Sequence, residues 1–208
     1  MMELYIIRHG ETDWNVQKKL QGRSDTELNE YGIKLAEITS EALKDIDFDI
    51  IYSSPLKRAY TTAEIMKRDR DIPLIKDDRL IEMCFGIYEG APASEVPANF
   101  KNFFDDPAHY TAPPQGETYE EVVARAQDFI DNVIVPASET MKRMMIVAHG
   151  ALNRGIMISL NHEGIDKFWS GVFQRNCCVN IFEIDGNDYT MIENGKIFYE
   201  PETRGGFT

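Results

Sequence analysis

The chain has 208 residues, 43% of them hydrophobic, and a formal net charge of −13 at pH 7. This length and hydrophobic content predict a single domain spanning 1–208 with a well-filled core. The acidic balance argues against a nucleic-acid or anionic-membrane surface, because proteins that neutralise phosphate backbones carry a basic patch. No run of about 18 apolar residues occurs, and the start lacks a basic region followed by an apolar stretch, so neither membrane spanning nor export is expected. Three cysteines without a disulfide or metal-ligand spacing are typical of a reducing compartment, and we expect a cytoplasmic protein.

The first part of the chain alternates predicted strands and helices. Apolar residues in Glu3–Ile7 and Asp49–Ser53 predict two strands, and intervals of three and four residues within Tyr31–Leu43 predict a helix between them. Ser54 is typical of a helix N-cap and Pro55 of a first helical position. The next helix is therefore predicted to begin at this pair.

The middle of the chain contains a segment that interrupts the alternation. After a short strand candidate at Ile72–Ile75, the residues at about 84–116 are rich in Pro, Gly and aromatic side chains. This composition predicts an inserted cap. Thr118 and Glu121 have the spacing of a capping box, which predicts a long helix that Pro136 ends or kinks.

The last part of the chain completes the predicted sheet. Arg143–Ala148 predicts a buried strand, which a helix-like stretch follows through Met157. Cys178–Ile184 and Tyr189–Glu193 predict a terminal hairpin. The whole pattern predicts a three-layer α/β/α sandwich, whose central sheet is mainly parallel with one antiparallel edge strand.

Four side chains that suit an anion are predicted to meet at one edge of this sheet. Arg8 and His9 follow the first strand. Arg58 lies in the first turn of a helix, and His149 follows a later strand. Open α/β folds bind ligands at the carboxyl ends of their strands. Guanidinium groups match the charge of a phosphoryl group in transfer, and an unprotonated histidine nitrogen can attack phosphorus.

Phosphoryl transfer of this kind also needs an acid for the leaving alkoxide, and Glu82 is the candidate. It lies between apolar neighbours at the start of the predicted cap. Burial and bound phosphate favour the protonated carboxyl there, whereas nearby arginines favour the carboxylate, and the sequence does not decide between these effects. The competing carboxylates are Glu11, Asp13 and Glu89.

Five groups of residues then form an ordered series along the chain. They are Arg8-His9-Gly10-Glu11-Thr12 with Asn15, Leu20-Gln21-Gly22, Ser53-Ser54-Pro55-Leu56-Lys57-Arg58-Ala59 with Thr62-Ala63, Glu82 with Gly86 and Glu89-Gly90, and His149-Gly150. In this order they resemble the motifs of the histidine phosphatase superfamily, the phosphoglycerate-mutase-like family. The resemblance extends from residue 4 to about residue 184, and a lone Arg-His-Gly would be weak evidence.

The resemblance implies a role for each matching residue. His9 matches the phosphorylated nucleophile, and Glu82 matches the proton donor. Residues that match phosphoryl-binding or rim positions are Arg8, Asn15, Gln21, Gly22, Arg58, His149 and Gly150. The family implies no metal and no organic cofactor.

The composition of the predicted cap favours a phosphatase over a mutase. A mutase must hold a carboxylated substrate and a bisphosphorylated intermediate, yet the only basic residue between Gly86 and Gln115, histidine aside, is Lys101. The adjacent arginine pair of the mutases has no match. We therefore expect a phosphoric monoester hydrolase similar to the bacterial broad-specificity and α-ribazole phosphatases, acting on a small phosphorylated metabolite. Phosphoglycerate mutase activity and a phosphoester-binding module without turnover are the alternatives, and the sequence allows a homodimer.

Other residues are interpreted as structural. His109 and His162 match no motif, so surface or cap positions are expected, with a substrate contact from His109 or Lys101 left open. The cysteines are interpreted as core residues. The aromatic residues of the predicted cap are interpreted as its own small core, namely Phe100, Phe103, Phe104 and Tyr110.

Overall fold

The computed structural model describes residues 1–97, 100 and 102–200, so Lys101 lies outside the described residues. Within them, six strands form one sheet. Their bounds are Met2–Arg8 for β1, Ile50–Ser53 for β2, Leu74–Lys76 for β3, Arg143–Ala148 for β4, Val179–Asp185 for β5 and Asp188–Lys196 for β6.

The strand order across the sheet is β3-β2-β4-β1-β5-β6. β2 runs parallel to β3 and to β4, and β4 runs parallel to β1. β5 is antiparallel to β1, and β6 is antiparallel to β5. The predicted fold class is confirmed. The terminal hairpin places two antiparallel strands at one side of the sheet, with β6 at the edge and β5 between β6 and β1.

The helices cover both faces of the sheet. Their bounds are Asp13–Val16 for α1, Glu30–Ala42 for α2, Lys57–Lys67 for α3, Asn102–Asp105 for α4, Tyr119–Phe129 for α5, Val135–Ala137 for α6 and Gly150–Leu160 for α7. Successive side chains of a strand point to opposite faces. Leu4 and Ile6 of β1 accordingly join the apolar cluster of α5 and α7, whereas Tyr5 and Ile7 join that of α2 and α3.

The predicted start of the helix after β2 is wrong by two residues. α3 begins at Lys57, and its N-cap residue Leu56 has no side-chain capping bond. The Ser54 hydroxyl instead lies 2.7 Å from Nε2 of His149, at the end of a distant strand. The Ser54 hydroxyl also accepts from the Leu56 N–H at 3.3 Å, so its local contact is with the residue before the helix and the capping pattern alone does not determine where the helix begins.

The capping box before α5 is confirmed, and the end of that helix shows the effect of proline. The Glu121 N–H donates to the Thr118 hydroxyl at 3.2 Å, and the Thr118 N–H donates to Oε2 of Glu121 at 2.8 Å. After α5 the chain continues as a π-helical turn, Ile130–Ile134, and then as α6, which contains Pro136 and ends one residue later. Proline has no N–H to donate, and a helix that meets one changes its hydrogen-bond pattern or ends.

The segment predicted as a cap lies between β3 and α5. Its described residues contain α4 and 3₁₀ turns at Gly86–Tyr88 and Pro107–His109. A single β-bridge between Phe85 and Gly116 joins its two ends. Its definition as a cap insertion in one domain stays a prediction. In the part of the chain that the structure describes, no helix combines the length and the apolar character needed to cross a bilayer.

Candidate active site

The two histidines that follow β1 and β4 lie side by side at one edge of the sheet. Arg8, the last residue of β1, is in register with Ala148, the last residue of β4. The His9 N–H also donates to the Ala148 carbonyl at 3.0 Å. Because the two strands are parallel and end together, the rings of His9 and His149 are brought to a centroid distance of 5.2 Å.

The His9 ring has the tautomer that a nucleophile needs. Its Nδ1 atom lies 2.7 Å from the Gly10 carbonyl oxygen, which only accepts hydrogen bonds, so Nδ1 carries the proton of the neutral ring and Nε2 has the free lone pair. The ring is 3% exposed. Burial first, and then the charges of Arg58 and Arg8, lowers the pKa of His9 well below its ordinary value. Burial and these charges therefore favour the neutral ring.

Two arginines bring positive charge to the same edge. Arg8 donates from Nη1 to the Gln174 carbonyl. Arg58 donates from its two terminal nitrogens to the carbonyls of Gly22 and Ser24, and both of these distances are 2.7 Å. Burial lowers the pKa of Arg58 to about 10, so the group stays charged at neutral pH. The Nε atoms of both arginines are buried with no hydrogen-bond partner among the described residues. Such donors suit the oxygens of a bound anion.

Glu82 is held at the N-terminus of α7 by backbone N–H groups. Its Oε1 accepts from Met83 at 2.8 Å and from Leu152 at 3.1 Å, and its Oε2 accepts from Ala151 at 3.3 Å. A methyl group placed on Gly150 would lie 3.8 Å both from Oε2 of Glu82 and from Nε of Arg8. Gly150 thus lies between the candidate acid and the candidate anion clamp.

The side-chain amides of Asn15 and Gln21 leave their NH₂ groups available. Oδ1 of Asn15 accepts from the backbone N–H and the hydroxyl of Thr12, at 3.1 and 3.2 Å. Oε1 of Gln21 accepts from the Thr26 hydroxyl at 2.6 Å and lies 3.0 Å from the Thr12 hydroxyl, whose single proton serves one of the two amide oxygens at a time. Because their oxygens are occupied by donors, both amides can present N–H groups to an anion.

A cavity of about 470 Å³ opens at this edge of the sheet. His149 is fully buried and does not line it. The other predicted site residues all line the cavity, namely Arg8, His9, Asn15, Gln21, Gly22, Arg58, Glu82 and Gly150.

The remaining walls of the cavity combine apolar surface with two cations. Lys19 and Arg154 both line it and come from outside the predicted cap. Arg154 is buried and donates from Nε and Nη2 to the carbonyls of Phe168 and Lys167. The apolar lining residues include Phe85, Phe103, Phe104, Trp169, Val172 and Phe173.

Three polar contacts at the site were not predicted from the sequence. Ser54 bonds His149, as described above, and the Thr62 hydroxyl accepts from the Gly10 N–H at 3.0 Å. Nδ2 of Asn176 donates to the His9 carbonyl at 3.0 Å. Ser54 and Thr62 belong to the motif series of the family, so their place in that series could have indicated a role at the site. No sequence pattern around Asn176 indicated such a role.

The competing carboxylates lie elsewhere. Oε1 of Glu11 accepts from the Asn29 side chain, Asp13 is exposed, and Glu89 binds backbone N–H groups of a loop. None of the three lines the cavity, whereas Glu82 does. Among the described residues, no three His, Cys, Asp or Glu side chains are grouped so that they could hold a metal ion.

The residues interpreted as structural mostly occupy the expected places: Cys177 and Cys178 are buried in the core, whereas Cys84 is only partly buried. His109 is exposed beside Asp106, and His162 is exposed as well. Phe100 and Phe103 are buried and stack on each other. Phe104 instead is 44% exposed and lines the cavity.

Comparisons with known proteins agree with the motifs. Residues 4–195 match the family described as histidine phosphatase superfamily (branch 1). Phosphoserine phosphatase 1 of Hydrogenobacter thermophilus is 32% identical over 174 residues, which cover 82% of this chain and 81% of that protein.

Two solved structures show the same fold. Bacillus stearothermophilus YhfR has a TM-score of 0.89 and 33% identity, over 95% of this chain and 98% of its own. The α-ribazole phosphatase from Shigella flexneri has a TM-score of 0.83 and 27% identity, over 94% of this chain and 96% of its own. The family and the phosphatase names of these relatives support phosphoester hydrolysis, and the chain belongs to the histidine phosphatase superfamily.

Proposed function

We propose that the protein hydrolyses small phosphomonoesters through a phosphohistidine formed on His9, without a metal ion. The observation that carries the proposal is the contact between Nδ1 of His9 and the Gly10 carbonyl. It keeps the proton on Nδ1 and leaves the lone pair of Nε2 free to attack phosphorus. Arg8 and Arg58 supply the positive charge that the phosphoryl oxygens require.

In the first step, Nε2 of His9 forms a bond to phosphorus while the ester P–O bond breaks. The carboxyl of Glu82 gives its proton to the departing alkoxide, which leaves as an alcohol. The predicted cap at about 84–116 covers the organic part of the substrate, which lies against the apolar walls of the cavity.

In the second step, water attacks the phosphorus of phosphohistidine. The Glu82 carboxylate takes a proton from that water, the P–N bond breaks, and its electron pair returns to Nε2 of His9. Inorganic phosphate is released, and both residues return to their starting protonation states. His149 lies behind His9 and orients the site through its contact with Ser54.

The proposal is tested by trapping the intermediate and by screening phosphomonoesters, beginning with phosphoserine because of the relative's name. Rapid quenching with a labelled ester is expected to give an acid-labile, base-stable phosphoryl group on the wild-type protein and none on His9→Ala. His109→Ala, which removes an exposed histidine, is the matched control. Undiminished hydrolysis by His9→Ala would exclude the proposed nucleophile, and phosphate binding without any turnover would favour the binding module.

The position of Lys19 and Arg154 keeps phosphoglycerate mutase as the second candidate function. The sequence of the predicted cap contains one lysine, Lys101, and no arginine, yet Lys19 and Arg154 line the cavity from other parts of the chain. A second anionic group on the substrate could bind them. With 3-phosphoglycerate supplied, formation of 2-phosphoglycerate faster than free phosphate would identify a mutase.

A further inference from the structure

One peptide group connects Arg58 to a carboxylate that lies outside the cavity. The carbonyl of Gly22 accepts from Nη2 of Arg58 at 2.7 Å. The N–H of the same peptide group, which belongs to Arg23, donates to Oε1 of Glu89 at 2.9 Å. The peptide group between residues 22 and 23 is therefore hydrogen-bonded to a guanidinium on one side and to a carboxylate on the other. Hydrogen bonds in such a chain polarise and strengthen one another.

Glu89 also binds the next residue of the loop. Its Oε2 accepts from the backbone N–H of Ser24 at 2.9 Å and from the Ser24 hydroxyl at 2.8 Å. The Ser24 carbonyl in turn accepts from Nη1 of Arg58. The guanidinium is thus oriented by the carbonyls of Gly22 and Ser24. The Glu89 carboxylate binds the N–H of Ser24 itself and the N–H of Arg23, the residue after Gly22.

The loop at 22–24 has other contacts besides those of Glu89 and Arg58. The Ser24 N–H also donates to the Gln21 carbonyl at 3.0 Å, and the Arg23 side chain forms an ion pair with Glu117 at 2.8 Å. The loop lies outside the helices and strands, and Gly22 has a φ of +52°. A methyl group on Gly22 would lie 2.1 Å from Oε1 of Glu89, so only glycine fits beside that carboxylate. Oε1 of Glu89 also accepts from the N–H of Phe85 at 3.2 Å, which ties the loop to the start of the predicted cap.

Arg58 depends on these carbonyls because it makes no ion pair with any described residue. Its side chain is fully buried, and its remaining contact is a 3.4 Å hydrogen bond to the Thr26 hydroxyl. A buried guanidinium that loses its acceptors pays the cost of desolvation without compensation, and it moves to find others.

We propose that Glu89 is a positioning residue for Arg58, which it holds in the orientation that binds phosphate through the peptide group between residues 22 and 23. This inference rests on the proposed function only in taking Arg58 as a phosphate ligand. Glu89 does not line the cavity and touches neither His9 nor Glu82 through any hydrogen bond of the described residues.

The test is the dissociation constant of inorganic phosphate, measured by calorimetry because binding needs no turnover. Glu89→Gln replaces one acceptor oxygen by an NH₂ group that faces N–H donors, and we expect phosphate to bind about 10-fold more weakly. Glu41→Gln removes an exposed carboxylate that is paired with Lys44 and Arg68, and it is the matched control with unchanged binding.

A double-mutant cycle separates positioning from a general effect on the fold. Arg58→Lys keeps a charge but lacks the planar fork whose two terminal nitrogens bind the two carbonyls, so adding Glu89→Gln to it is expected to cause no further loss. An equal loss in both backgrounds, or unchanged binding by Glu89→Gln in the wild-type background, would overturn the proposal. If Glu89→Gln does not fold, Gly22→Ala displaces the same carboxylate, and unchanged phosphate binding by that variant would overturn it as well.

The same measurements distinguish this inference from the proposed function. A wild-type protein that binds phosphate and releases none from any ester contradicts the proposed function, while the cycle still decides the role of Glu89. When turnover is normal but Glu89→Gln weakens phosphate binding equally in the wild-type and Arg58→Lys backgrounds, only the role of Glu89 is contradicted. A wild-type protein that does not bind phosphate contradicts both.

Discussion

Nδ1 of His9 lies 2.7 Å from the carbonyl oxygen of Gly10, its neighbour in sequence, so a residue within the motif itself selects the tautomer of the ring. The contact needs no distant partner. The rest of the fold adds burial, which lowers the pKa of the ring, and the parallel pairing of β1 with β4, which places the ring beside His149.

The first prediction is that the two buried histidines make the protein less stable as pH falls. Burial is the largest cause that lowers the pKa of His9 and of His149 below 6.5, and the charge of Arg58 is the next. Below pH 6.5 the unfolded chain takes up protons that the folded protein does not, so the free energy of unfolding decreases toward acid pH. The decrease is expected to reach about 1.4 kcal/mol per pH unit for each histidine.

Urea unfolding between pH 7.5 and 5.5 measures this dependence. His149→Gln should reduce the slope of stability against pH, whereas His162→Gln, at an exposed position, should leave it unchanged. An identical slope in His149→Gln and the wild-type protein would show that His149 has no lowered pKa in the folded state.

The second prediction concerns the hydroxyl of Ser54. Ser54→Ala removes the 2.7 Å contact with Nε2 of His149 and leaves a buried ring nitrogen without a partner. We expect kcat/KM to fall roughly 10-fold. Ser138→Ala removes another buried hydroxyl, which donates to the Val135 carbonyl far from the cavity, and it should not change kcat/KM. Equal activities of the two variants would assign Ser54 a structural role only.

The third prediction tests Glu82 through the leaving group. Glu82→Gln should lower hydrolysis of alkyl phosphates by about 10²-fold or more, because a poor leaving group needs the proton. Hydrolysis of activated aryl phosphates should decrease far less, since aryl oxides leave without protonation. Rates for a series of esters with different alcohol pKa values provide the measurement, with Glu41→Gln as the control. Equal losses across the series would point to a different acid.

The fourth prediction concerns the apolar wall of the cavity. Val172 and Phe173 line the cavity while 48% and 45% exposed, and Nε1 of Trp169 beside them is held by the Tyr119 hydroxyl at 2.6 Å. Phe173→Ser should lower kcat/KM for 2-phenylethyl phosphate about 10-fold and leave that for glycerol phosphate nearly unchanged. Ile75→Ser, at an exposed position of β3, controls for loss of apolar surface elsewhere. A parallel loss for both esters would show that this wall does not contact the alcohol.

Local patterns were sufficient for much of the fold. β4 was predicted with its observed bounds, and the Thr118–Glu121 capping box was predicted with its partners, because both depend on residues that are neighbours in the chain. The start of α3 was not, since the Ser54 hydroxyl contacts His149, 95 positions away, and its local partner is the N–H of Leu56, the residue before the helix.

By itself the sequence determined the family, the sheet and the placement of Arg8, His9 and Arg58, because short motifs at strand and helix ends carry these groups wherever the ends are placed. The tertiary structure alone decided which carboxylate enters the cavity, which polar groups hold the histidines, and that Glu89 is bound to the loop that orients Arg58. Those contacts join residues far apart in the chain. They exist only once the sheet, α7 and the segment after β3 have packed together, and no local propensity encodes them.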